Sequence, residues 1–202
     1  MRNYILIMRC FGGRKMIYID DRIVSKKDGI FNAMVGKTLE SICHDPFVYS
    51  NSVYGIAGMK VEDTYYKVSN EIEVRDYFGE KEDVAIFNIS EDIPENIHSM
   101  IEDSSMITVP INQKIKYIDV VNEHQCLYEN GAQTYDVWIT RGFVVELEDG
   151  LQISFEKEIW FSEDINIERG YNLIDKFFPV NRVIEGWSEP KKMVCEREVI
   201  RF

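Results

Sequence analysis

The stretch from Thr134 to Phe161 reads TYDVWITRGFVVELEDGLQISFEKEIWF. It is rich in β-branched and aromatic residues, which suit a pleated, half-buried surface. Glu148-Asp149-Gly150 lies between two alternating segments and is the strongest hairpin signal in the chain. Working outward, Ile115–Val121, Gln125–Tyr128, Thr134–Thr140, Phe143–Leu147 and Leu151–Phe161 read as successive strands. Asn130-Gly131 and Arg141-Gly142 supply turns that tolerate positive φ. Ser162 then caps an expected helix with Ile167, Tyr171, Ile174 and Phe178 on one face, ended by Pro179. Val183–Trp187 and Met193–Ile200 are expected to form a last hairpin. Trp138, Phe143, Phe155, Trp160, Tyr171, Ile174 and Phe178 should share one core.

Upstream, residues 3–9 and 16–20 are β-prone, and Phe11-Gly12-Gly13-Arg14 between them signals a hairpin turn. Ile30, Phe31, Met34, Val35, Leu39 and Ile42 make one stripe on a helix starting near Ser25 or Asp28 and ending at Asp45-Pro46. Residues 47–60 read as a loop. Met59–Val68 and Ile72–Phe78 are expected strands, and a turn follows over residues 79–83. Residues 84–89 form a short apolar strand. A helix is expected to start near Ser90-Glu91-Asp92, with Ile93, Ile97, Met100 and Ile101 on one face. Pro110 should break a strand over 106–111, and Asn112-Gln113-Lys114 is a boundary signal. The expected fold class is α+β. It has two modules of mostly antiparallel sheet, each with one or two helices packed on a face, over residues 1–112 and 113–202.

The chain has 202 residues, enough to bury a core without staples. No apolar run nears the ~20 residues of a membrane span, and no secretory leader pattern is visible. Four cysteines at 10, 43, 126 and 195, with no CxxC pair, do not make a disulfide framework. Free thiols and a cytoplasmic location are the expectation.

The net charge of -12 argues against generic nucleic-acid binding, because phosphates would be repelled. The charge is uneven. Residues 1–40 hold eight Lys/Arg against four Asp/Glu, whereas residues 61–103 hold thirteen Asp/Glu against Lys67, Arg75 and Lys81. A dense carboxylate array on rigid strands can compete for sites that bind nucleic-acid phosphates. The candidate contact residues are Glu62, Glu71, Glu73, Glu80, Glu82, Asp83, Glu91 and Asp92. Glu71 and Glu73 should face outward on a strand, with Ile72 and Val74 toward the core.

Other constellations are weaker. His124 and Cys126 lie two apart on a strand and face the same way, so they could share an ion; Cys43-His44 is a second pair. Two pairs far apart in sequence are a weak signal, buried small thiols explain the cysteines better, and the expectation is no metal and no cofactor. A Cys–His nucleophile lacks an orienting third group in the sequence. Gly12-Gly13-Arg14-Lys15 has neither phosphate-loop spacing nor a following helix. Asp20-Asp21, Glu62-Asp63 and Glu156-x-Glu158 are the carboxylate pairs that metal-assisted hydrolysis would use, and with 35 Asp/Glu in the chain such pairs arise by chance.

Tyr135-Asp136-Val137-Trp138-Ile139, Glu158–Asp164 and Arg169-Gly170-Tyr171-Asn172-Leu173-Ile174 resemble small uncharacterised proteins of mobile elements in gut Firmicutes. The resemblance covers the last third of the chain and carries no catalytic residues. Such elements often encode small acidic inhibitors of host defence, so the resemblance implies an anti-CRISPR-type inhibitor by analogy. The expected function is an acidic protein-binding inhibitor of a nucleic-acid-binding effector such as a Cas nuclease. The alternatives are a small metal-assisted hydrolase or nuclease and an accessory structural protein.

Overall fold

The computed structural model describes residues 9–11, 14–47 and 50–202. Strands β1 (Arg9–Phe11) and β2 (Arg14–Asp21) precede helix α1 (Val24–Met34). Next come β3 (Thr38–His44), β4 (Ser52–Tyr54), β5 (Ile56–Val61), β6 (Thr64–Tyr77) and β7 (Glu80–Asp92). The second half holds β8 (Ile107–Glu129), β9 (Ala132–Leu147), β10 (Gln152–Lys157), β11 (Asp164–Gly170), helix α2 (Val180–Glu185) and β12 (Lys191–Arg201). Short 3-10 turns lie at Pro94–Asn96 and Leu173–Lys176.

All the described strands join one sheet, and every pairing is antiparallel except β2 with β9. The expected α+β class is therefore corrected to a predominantly antiparallel β fold with two short helices. The main path runs β4-β11-β10-β9-β8-β3-β5-β6-β7. It curls back on itself because β4 and β5 are one segment bent at Gly55. The Gly55 N–H donates to Glu163 O at 3.1 Å, and its carbonyl accepts from Asn70 N–H at 2.8 Å. Inside this barrel-like curl lie Leu39, Met59, Val68, Ile118, Phe143 and Phe155, with α1 contributing Phe31 and Met34. Closing the sheet in this way leaves few free edges.

The helices expected from apolar spacing mostly become strands. α1 stops at Met34 because Gly36 takes a left-handed φ of 81°, a usual helix terminator. Leu39 and Ile42 of the expected stripe then enter the core from β3. Ser25 and Asp28 lie within the helix rather than at its cap. The expected helix near residue 93 is only the Pro94–Asn96 turn. Residues 164–170 are strand β11, and Leu173 and Phe177 are buried instead of Tyr171 and Phe178. Val183 lies in α2, not in a hairpin strand. The loop expected over 47–60 contains β4 and β5, while residues 48–49 lie outside the described residues.

Two breaks expected in the strands are absent. β8 passes through Pro110 and residues 112–114 without interruption. Over residues 107–114 it pairs with β3, whereas its β9 pairing begins at Ile115, so Pro110 sits where one side of the strand has no ladder partner. Arg141-Gly142 is not a turn but part of β9, where a register shift leaves Arg141 as a bulge. Of the first hairpin, β1 and β2 pair with Arg9 opposite Met16; residues 3–8 and the turn glycines 12–13 lie outside the described residues.

A second apolar cluster forms where the tip of the β6–β7 hairpin packs on β8, β9 and β12. Phe78 at its tip packs with Leu127, Tyr135, Val137 and Met193. Trp160 belongs here, not to the main core, and Trp138 lies on the other face of β9. The single core expected for the C-terminal half is thus divided.

Candidate functional site

The acidic segment forms the β6–β7 hairpin. Register pairs Glu71 with Ile86, Glu73 with Val84, Arg75 with Glu82, and Tyr77 with Glu80. Cross-strand partners share a face. Glu71, Glu73, Glu80, Glu82 and Asp92 therefore take one face of the hairpin, and Asp83 and Glu91 the other. Glu62 sits in the β5–β6 turn with a left-handed φ of 51°. Lys67, Ser69, Glu71, Glu73, Asn88 and Asp92 line a shallow polar groove across the first face. Two cations partly neutralise it: Lys67 lies 3.2 Å from Glu71, and Arg75 lies 2.8 Å from Glu73. Asn96 and the Ile93 N–H hold the Asp92 carboxyl below the usual carboxylate range. Val74 is 69% exposed, contrary to its expected inward position, because this part of β6 has left the barrel.

A buried charge cluster lies at the Arg141 bulge. Glu123 is fully buried and accepts from Arg141 Nε at 3.0 Å and Nη2 at 2.6 Å, from Arg197 Nη2 at 2.8 Å and from Gln125 Nε2 at 3.1 Å. Burial opposes ionisation of Glu123, but the two guanidiniums hold its carboxyl below the ordinary value. A bulge re-aims a side chain that regular alternation would send to the other face. Gly142 is required beside it, since a Cβ there would lie 2.2 Å from Phe155 O.

Glu156 and Lys157 extend this cluster. Burial pulls the Lys157 amine down to about 7, helped by the Arg141 charge, although its Nζ donates to Ala85 O at 2.5 Å. Burial pushes Glu156 up to about 7 against the Phe178 N–H, which donates to it at 2.7 Å. Because the folded value lies above the unfolded one, Glu156 contributes stability below pH ~4.5 that is lost as pH rises through about 7. Glu156→Gln should therefore be more stable than the native chain well above pH 7, by roughly 3 kcal/mol, and nearly equal to it at pH 4. Urea titrations across this range check the result. Parallel pH profiles for the two proteins would refute it.

On the outer face of β8 and β9, His124 Nε2 lies 2.7 Å from Asp136 Oδ1 and 3.3 Å from Cys126 Sγ. Trp138 stacks on the His124 ring at 4.1 Å and 9°, and Arg22 covers the other part of this face at 4.3 Å from Trp138. Asp136 was missed in the sequence because simple counting from the Asn130-Gly131 turn places Tyr135 opposite Cys126. A register shift at Thr134 brings Asp136 there instead. Burial, then the charges of Asp136 and Glu196, push the Cys126 thiol up to about 11. The arrangement is not a nucleophile relay: Cys126 and Asp136 meet the same ring nitrogen, so the carboxylate cannot orient the imidazole from its far side.

Of the other pairs, Cys43 and His44 diverge: Cys43 approaches Gly58, while His44 stacks on Phe47 at 4.4 Å. Cys43, Cys126 and Cys195 are free thiols. No helix among the described residues is long and apolar enough to cross a membrane. The chain matches no protein family, no curated protein and no solved structure.

Proposed function

We propose that this chain is a binding protein that inhibits a nucleic-acid-binding effector, a CRISPR nuclease in particular, by seating its acidic hairpin in the effector's basic channel. The supporting observation is the set of five carboxylates that the strand register puts on one face of the β6–β7 hairpin. Same-face residues recur about every 6.8 Å along a strand, so Glu71 with Glu73 on β6 and Glu80 with Glu82 on β7 are two pairs of regularly spaced charges. That face carries five carboxylates against Lys67 and Arg75, so it stays acidic. Channels that hold a nucleic-acid duplex by charge and shape are open to such a competitor. The resemblance of the last third to mobile-element proteins supports the choice of target by association.

Glu73 is half-buried beside Arg75, so reversing it would hold two cations together in the fold, whereas Glu71, though 3.2 Å from Lys67, is 51% exposed and a lysine there can turn into solvent. The better variant reverses Glu71, Glu80, Glu82 and Asp83 to Lys, all at exposed positions. Individual rim pairs contribute little, on the order of 0–1 kcal/mol, but many facing one channel accelerate association and make it salt-sensitive. The quadruple variant is expected to keep its fold by circular dichroism and to lose inhibition of a type II CRISPR nuclease. Native inhibition should weaken between low and high salt. Equal inhibition by both proteins, inhibition indifferent to salt, or no inhibition by the native chain would discard the proposal.

A further inference from the structure

We propose that His124, Cys126 and Asp136 form a site for one zinc ion on the outer face of β8 and β9, with its fourth position open to solvent. The inference is independent of the acidic hairpin, which lies on other strands.

The observation that carries it is convergence. One ligand atom from each residue lies within 4.8 Å of the other two. Nitrogen, thiolate sulfur and carboxylate oxygen are the donor types zinc takes, with bonds of roughly 2.0–2.3 Å. A tetrahedral ion with those bonds would hold N···O at about 3.3 Å and S···N at about 3.6 Å. The corresponding separations are 2.7 Å and 3.3 Å, so the three groups need to part only slightly to admit the ion.

The local hydrogen bonding points the same way. His124 Nε2 faces both Asp136 Oδ1 and Cys126 Sγ. A protonated Nε2 donates to the Asp136 carboxylate and leaves Cys126 only the weak acceptor role of a thiol sulfur. A cation at their centre satisfies all three, with the imidazole neutral and the thiol deprotonated. The frame is rigid. His124 and Cys126 are two apart on β8, Asp136 is opposite Cys126 on β9, and Trp138 fixes the imidazole plane.

Glu196 on β12 is opposite His124, so a carboxylate borders the open side. His124 and Asp136 are 27% and 23% exposed, which leaves an entry path from solvent. Three protein ligands with one open position is the pattern of a site that can bind a small anion or water on the metal rather than a closed structural site.

The test uses the full chain and zinc ion competed against a chromophoric chelator, with cobalt(II) as a spectroscopic substitute. The expected result is one equivalent bound, with a sulfur-to-cobalt charge-transfer band. Cys126→Ser should abolish that band, and Cys126→Ser and His124→Ala should each weaken binding by more than the ~10–100-fold typical of outer-shell changes. Cys43→Ser should change neither quantity. A readout on the native chain guards against unfolded variants: zinc should slow alkylation of Cys126, mapped by peptide mass spectrometry, and leave Cys43 unaffected. Zinc affinity that survives both Cys126→Ser and His124→Ala, no zinc binding by the native chain, or no protection of Cys126 would overturn the proposal.

Discussion

Replacing Glu123 by alanine is expected to destabilise the protein by about 3–5 kcal/mol, the range for breaking a buried ion pair. Glu123 serves two guanidiniums and the Gln125 amide at once. Removing it leaves Arg141, 1% exposed, without the carboxylate it is hydrogen-bonded to. Arg141 also donates to Glu158 O at 3.2 Å, so the loss reaches the end of β10 and the loop behind it. Arg197 loses its carboxylate too but keeps the Phe178 carbonyl at 2.7 Å. Replacing Glu123, Arg141 and Arg197 together by apolar residues of similar volume should be far milder than Glu123→Ala alone, since no buried charge is then stranded. Urea denaturation measures both. A cost below ~0.5 kcal/mol for Glu123→Ala would show the cluster to be solvated.

Phe143→Ala should cost a similar 3–5 kcal/mol through lost transfer energy and the cavity left behind. The Phe143 ring lies 5.0 Å from Phe155, 5.5 Å from Phe31 and 6.1 Å from Phe87, joining β10, α1 and β7 at the centre of the main core. For a chain of this length that is a fall in melting temperature of roughly 6–20 °C. Tyr171→Ala, at a position 64% exposed, should stay within ~0.5 kcal/mol. If both substitutions shifted the melting point equally, the assignment of the core would be wrong.

The strand character of the second half was legible, since Thr134–Phe161 alternates and Asp149-Gly150 marks a turn that the structure contains. What misled was the use of helical spacing where strands meet turns. Ile30, Phe31 and Met34 form a true helical stripe, but Leu39 and Ile42 fit the same period only by chance; Gly36 between them was the signal of the break. Arg141-Gly142 read as a turn because glycine is ambiguous between a turn and a bulge, and only the close approach of Phe155 O distinguishes them. Glu71, Glu80, Glu82 and Asp83 were legible as surface residues, whereas the half-burial of Glu73 and the division of the carboxylates between two faces depend on cross-strand register. Neither the Glu123 cluster nor the pairing of Asp136 with Cys126 could be read, because each depends on a shift in the β8–β9 register.

Among the described strands β7 has β6 as its only ladder partner, and its outer edge has one further described backbone bond, from Ala85 N–H to Trp160 O. A bare edge invites another strand to add to it. Glu80, Lys81, Glu82 and Asp83 open that edge, and like charges brought alongside by a second copy would repel. The acidic hairpin tip thus also guards against self-association into larger sheets. Lysines at Glu80, Glu82 and Asp83 would preserve this protection, because a uniformly basic edge repels its own copy as well. Valines at the same positions would remove it, turning the hairpin tip into a template for aggregation.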